Sequence, residues 1–85
     1  MASYNYNVTS AWASVQAGPL DLNVSNINGE MLYIATSASL PAETFVGQVV
    51  KPRHWVTVKI ASGENLYVRS PGLSGTKKIA AVDVV

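Results

Sequence analysis

The chain contains no cysteine, which excludes disulfides, iron–sulfur clusters and thiolate zinc sites and leaves packing or partners to supply stability. A single histidine, His54, leaves little scope for imidazole chemistry. Charge is scarce as well: six Lys plus Arg face five Asp plus Glu, a formal net of +1, and only 13% of residues are charged. A surface that meets only water is better served by about 25–35% charge. Ser, Thr and Asn therefore supply the polarity, and such faces suit contact with other protein. No apolar run approaches the roughly 18 residues of a spanning helix, so no membrane partner is expected. Residues 1–10 lack the charged head and apolar core of a signal peptide. The expectation is a chain that stays where it is made unless it leaves inside a larger particle.

What is present is a short chain, 85 residues with 48% hydrophobic content, enough for one small core. Its patterning has period two almost throughout, the signature of half-buried strands, and amphipathic helical spacing is hard to find. Leu20, Leu22 and Val24 alternate with Asp21, Asn23 and Ser25. Asn28-Gly29 follows, the dipeptide favoured in a tight hairpin turn, and residues 30–37 return with Leu32 and Ile34 on one face. Val56, Val58 and Ile60 alternate in residues 55–60, and 61–64 read as a hairpin connection into 65–70, where Leu66 and Val68 point inward. A weaker strand occupies 11–17, and a final one 78–84. Between 38 and 47 the alternation breaks. Ser39 is placed there to cap a single helical or 3₁₀ turn over 40–43, with Phe45 or Val46 pinning the loop.

These runs predict an all-β domain: a small antiparallel β-sandwich or partly closed β-barrel of six or seven strands, residues 10–85, preceded by an extended N-terminal arm, residues 1–9. The arm carries Tyr4 and Tyr6 without a clear pairing pattern, and is read as a strap that orders against a neighbour.

Catalytic chemistry needs convergent groups, and the pattern offers few. Asp21, Glu30, Glu43, Glu64 and Asp83 are scattered over turns and polar strand faces, and no serine sits in a nucleophile elbow. His54 has no spaced histidine partner, and the carboxylates form no calcium loop. The expectation is no enzyme, no catalytic residue, no metal and no cofactor. The triplets at 7–9 and 23–25 match the glycosylation pattern but are read as turn and strand residues. Lys51, Arg53, His54 and Lys59 cluster within nine residues. A net charge of +1 gives them little long-range field, so strand-edge guarding is preferred over direct nucleic-acid binding.

The aromatic residues say more. Trp12 and Trp55 each fall opposite the apolar phase of their strands, and with Met31, Tyr33 and Tyr67 they make up a second apolar face. Burial against another subunit explains such a face; a strand read one residue out of phase explains it too. Arg69, beside Tyr67, is either an interface contact or a cover for apolar area. The candidate interface set is thus Tyr4, Tyr6, Trp12, Tyr33, Arg53, Trp55, Tyr67 and Arg69.

From residue 22 to residue 83, some three quarters of the chain, the sequence resembles small β-rich virion proteins of tailed bacteriophages. Asn26-Ile27-Asn28-Gly29, Leu32-Tyr33-Ile34-Ala35, Leu40-Pro41-Ala42, Leu66-Tyr67-Val68-Arg69-Ser70 and Lys78-Ile79-Ala80-Ala81-Val82 carry the resemblance. It departs from the pattern before the central strand, where Lys51-Pro52-Arg53-His54 replaces a proline-glycine-glutamate turn. The resemblance implies a decoration or cement protein on the capsid exterior, assembled in the host cytoplasm and bound to the major capsid protein or another virion protein. It further implies a homo-oligomer, a trimer being favoured. Two other roles stay open: a neck or tail accessory module, and a carbohydrate-binding module stacking sugars on Trp12, Trp55 or Tyr67.

Overall fold

The computed structural model describes the backbone of residues 3–27, 29–42, 44–71 and 77–84, and the side chains of 7–27, 29–42 and 44–71. Its alternating runs become eight strands: β1 (Ser3–Val8), β2 (Ala13–Ala17), β3 (Leu20–Asn26), β4 (Leu32–Ser37), β5 (Gln48–Val50), β6 (Trp55–Ile60), β7 (Asn65–Arg69) and β8 (Lys77–Val84). They form two four-stranded sheets with spatial orders β1-β8-β3-β6 and β2-β7-β4-β5. Every pairing is antiparallel. The all-β expectation holds, in its sandwich form.

Alternation places one face of each sheet against the other. Val8, Leu22, Val24, Val58 and Ile60 from the first sheet meet Leu32, Ile34, Val50, Leu66 and Val68 from the second, all buried, with Val15, Leu20 and Val56 at the margin. Burying a Val, Leu or Ile side chain contributes about 1.5–3 kcal/mol, so these contacts dominate the stability of the fold. In-register pairing keeps the faces consistent: Leu22 lies opposite Val58 and Val24 opposite Val56, while Asp21 faces Lys59 and Asn23 faces Thr57 on the outer side.

Two expected hairpins are corrected. The chain passes from β3 to β4, and from β6 to β7, by crossing to the other sheet, so neither pair is hydrogen-bonded together. Alternation demands only that apolar faces meet, which face-to-face packing satisfies as well as side-by-side pairing. At the first crossing Asn26, buried at the end of β3, decides the path. Its Nδ2 donates to the carbonyls of Glu30 at 2.6 Å and Val50 at 3.0 Å, tying the departing chain to the opposite sheet. Asn28 lies outside the described residues. At the second crossing Glu64 N donates to Ala61 O at 3.1 Å around Gly63, whose φ is +84°.

Residues 3–8, expected as an extended arm, are extended but paired inside this chain, opposite β8 from Ser3↔Asp83 to Val8↔Lys77 with one register shift. Val8 lies in the core and so anchors the segment. The turn expected over 40–43 is no helix among the described residues. A single bond, Phe45 N to Ala42 O at 2.9 Å, shapes it, and Glu43 lies outside the described residues.

Candidate interaction surfaces

The strand phases divide the candidate residues between opposite outer faces of the sandwich. On the β2-β7-β4-β5 sheet, Leu32, Ile34, Leu66 and Val68 point inward, which turns Tyr33, Ala35, Tyr67 and Arg69 outward. Trp12, immediately before β2, folds over them. Trp12, Ala35 and Tyr67 form a second buried cluster with Tyr33 packed against it, so β7 is covered on both faces. The Trp12 indole donates Nε1–H to Ala42 O at 3.1 Å, lies 6.3 Å from the Phe45 ring, and has the Arg69 guanidinium carbon 5.7 Å from its centroid. At that distance a cation and an aromatic face attract. The loop between β4 and β5 is thereby fastened over the sheet.

This corrects part of the expected interface. Trp12, at 8% exposure, and Tyr67 are buried within this chain, the indole against Ala42 and Phe45 of the loop and Tyr67 against Trp12 and Ala35. Sequence phase had placed them correctly on an outer face; it carried no signal for the loop that folds back on them. The residues which that loop presents were not singled out as an interface; of Phe45 and Val46, expected to pin the loop, Phe45 does so against Trp12 and both remain half exposed. Leu40, Phe45 and Val46 of the loop and Val49 of β5 are 64, 51, 50 and 40% exposed. Residues 31–50 hold a single charged residue, Glu43. A readable signal existed there: a charge-poor stretch whose apolar residues follow no strand phase.

Gly47 ends the loop with φ +65°, and a side chain there would run into the backbone carbonyl of Ile34. Only glycine fits both the left-handed backbone and the close approach. The loop therefore enters β5 at one fixed angle.

The opposite face, on β3 and β6, is polar: Asp21, Asn23, Ser25, Thr57 and Lys59, with Thr57 Oγ1 donating to Asn23 Oδ1 at 3.0 Å. Its large exposed apolar groups among the described residues are Trp55, 63% exposed at the start of β6, and Ile27, 47% exposed just after β3. Beside Trp55 lies an open cleft of about 260 Å³ lined by Ser25, Asn26, Ile27, Arg53, His54 and Trp55. The cleft's far wall is the 51–54 turn, closed by His54 N to Lys51 O at 3.1 Å, with Pro52 second and Arg53 third at φ +63°. A positive φ in that third place usually calls for glycine or asparagine. Arg53 is held there because its N–H donates to Asn26 O at 2.9 Å, while Asn26 N donates to His54 O at 2.9 Å. Buried Asn26 thus organises the cleft as well as the crossing. His54 Nδ1 lies 3.0 Å from Pro52 O, which aligns the imidazole along the turn.

The structure therefore unites Trp12, Tyr33, Tyr67 and Arg69 on one face and Arg53 with Trp55 on the other. Tyr4 and Tyr6 stand opposite Val82 and Ala80 in the β1–β8 register, and their side chains lie outside the described residues. Among the described residues no three His, Cys, Asp or Glu side chains come together to hold a metal ion, and no helix is long and apolar enough to cross a membrane. No protein-family model, curated protein or solved structure matches the chain.

Proposed function

We propose that the chain is a non-enzymatic structural protein of a virion, which binds the assembled capsid lattice on its exterior and stabilises it. The observation that carries this reading is the apolar surface of Leu40, Phe45, Val46 and Val49. Exposed apolar groups concentrated in one charge-poor stretch of chain mark a surface suited to burial against protein. Trp12 holds the loop through Ala42 and Phe45, and a surface held in one conformation loses little entropy on docking. A ligand that binds only the assembled shell shifts the equilibrium toward assembly by mass action. The major capsid protein, or another virion protein, is the proposed partner.

Cosedimentation with shells that lack the chain tests this. Saturation at a fixed number of copies per shell, abolished by Val46→Asp with the fold intact, is the expected result. A chain that stays in the supernatant at every concentration overturns it.

The cleft beside Trp55 favours a second reading, a carbohydrate-binding module at the particle surface. An exposed indole can stack on a sugar ring while Ser25, Arg53 and His54 offer polar groups at its rim. Glycan binding lost in Trp55→Ala, with no affinity for shells, would replace the lattice reading by this one.

A further inference from the structure

A sandwich of two open sheets has four edge strands, here β1 and β6 on one sheet and β2 and β5 on the other. An unprotected edge pairs readily with another strand, and proteins blunt edges with bulges, short length, proline or charge. Three of the four are blunted by a register shift or by short length. A register shift interrupts β1 between Tyr6 and Asn7, another interrupts β2 between Ser14 and Gln16, and β5 is three residues long. β6 differs: it has six residues, no proline and an unbroken register against β3. Its one charge, Lys59, lies on the outer face, two positions from Thr57 and four from Trp55.

The direction of its free backbone groups follows from one bond. Asn26 N donates to His54 O, so residue 54 is a hydrogen-bonded partner of β3. Antiparallel ladders alternate; hence 56, 58 and 60 also address β3, while Trp55, Thr57 and Lys59 turn N–H and C=O to the open side. These same three residues carry the outward side chains. We propose that β6 pairs antiparallel with β6 of a second copy of this chain about a two-fold axis through Thr57, joining two four-stranded sheets into one of eight.

Residues directly opposite in such a pair share a face, so only registers that match outward residues to outward residues are allowed. With Thr57 opposite its symmetry mate, Trp55 falls opposite Lys59 of the other copy, twice. Each ammonium then lies against an exposed indole, an attractive cation–π arrangement, and like charges are kept apart. All three outward residues of each strand hydrogen-bond. The inner residues match as well, Val56 against Val58. Val58 of β6 and Gln48 of β5 border one cleft of about 250 Å³ that reaches Ile34 and Leu66 of the core. A partner across β6 covers the flank on which that cleft opens. The symmetry is two-fold, in place of the trimer implied by the resemblance. The pairing uses the backbone edge of β6 and does not require lattice binding, although Phe45 lines the same cleft.

Sedimentation equilibrium on the full chain supplies the test. The expected mass is about 18 kDa, twice the 9.0 kDa of one chain. Thr57→Pro removes an N–H that β3 does not use, and Thr57→Lys sets two ammonium groups on the axis. Either variant should raise the dissociation constant at least about 100-fold while the far-ultraviolet circular dichroism is retained.

Cysteine-free sequence allows a register test without folding arguments. Thr57→Cys, on the axis, brings two Cα atoms to about 5.5 Å and should form an inter-chain disulfide on mild oxidation. Lys59→Cys, separated from its mate by roughly 14 Å, should not. A 9.0 kDa species up to the solubility limit overturns the proposal. So does an oligomer that Thr57→Lys leaves intact, or one in which Lys59→Cys cross-links as fast as Thr57→Cys. A monomer that pairs only with added foreign strand peptides overturns it in favour of another partner.

Discussion

The two outer faces of this sandwich solve the same problem in opposite ways. On β3 and β6, alternation puts Asp21, Asn23, Ser25, Thr57 and Lys59 toward water, and the face needs no cover. On β4 and β7 the same alternation puts Tyr33, Ala35, Tyr67 and Arg69 outward, and the chain covers them with Trp12 and the loop that carries Phe45. The covering displaces the apolar surface without removing it: Leu40, Phe45, Val46 and Val49 now face solvent. An aromatic residue outside the strand phase can therefore mark an internal layer, and the exposed apolar surface then lies one layer further out.

Four substitutions break or sharpen this contrast. The largest effect belongs to Trp12→Ala, which removes the indole that joins loop to sheet. A loss of about 3–5 kcal/mol is expected in denaturant unfolding, typical of truncating a buried tryptophan. A change below 1 kcal/mol would show that the loop needs no anchor. Next is Gly47→Ala, which forces a side chain into the left-handed region and against Ile34 O. Backbone strain alone costs about 1–3 kcal/mol, seen as a lower melting temperature; at an exposed loop glycine with neither the positive φ nor that contact the change would be close to nil. Smaller again is Arg69→Ala, where the lost cation–π contact with Trp12 is worth about 0.5–1 kcal/mol at a part-exposed site. A double-mutant cycle with Trp12→Phe should return a coupling of that size. Smallest is Trp55→Ala on the polar face. Monomer stability should move by less than about 0.5 kcal/mol, while the mass seen in sedimentation falls toward that of one chain. A stability loss as large as that of Trp12→Ala would erase the distinction between the two faces.

How far each part was legible follows from the range of the forces involved. Inward residues were readable one by one: Leu22, Val24, Leu32, Ile34, Val58, Ile60, Leu66 and Val68 all fall where period two puts them, because alternation is a property of the strand itself. Strand partners were not readable. Asn28-Gly29 and 61–64 look like hairpins, yet each carries the chain across the core, since a local turn cannot report which sheet its two ends join. The candidate site divides in the same way. Trp55 was placed on an outer face by phase and Arg53 was named from the basic cluster at 51–59, but neither pattern reported the cleft that both border. Leu40, Phe45, Val46 and Val49 were missed, because their exposure depends on a loop docking against Trp12 from a distance of some thirty residues.

By itself, then, the sequence determined that this chain is all-β around a small core, and that eight of the ten residues in that core point inward, Val8 and Val50 being the two it did not show. Tertiary structure alone decided that Trp12 and Tyr67 are buried, that the N-terminal segment becomes an edge strand beside β8, that Arg53 is held at positive φ by Asn26, and that β6 is an unbroken edge guarded by Lys59 alone. The first group depends on interactions within a strand, whose period is written in consecutive residues. The second depends on which distant segments meet, and that is settled by the free energy of the whole packed domain.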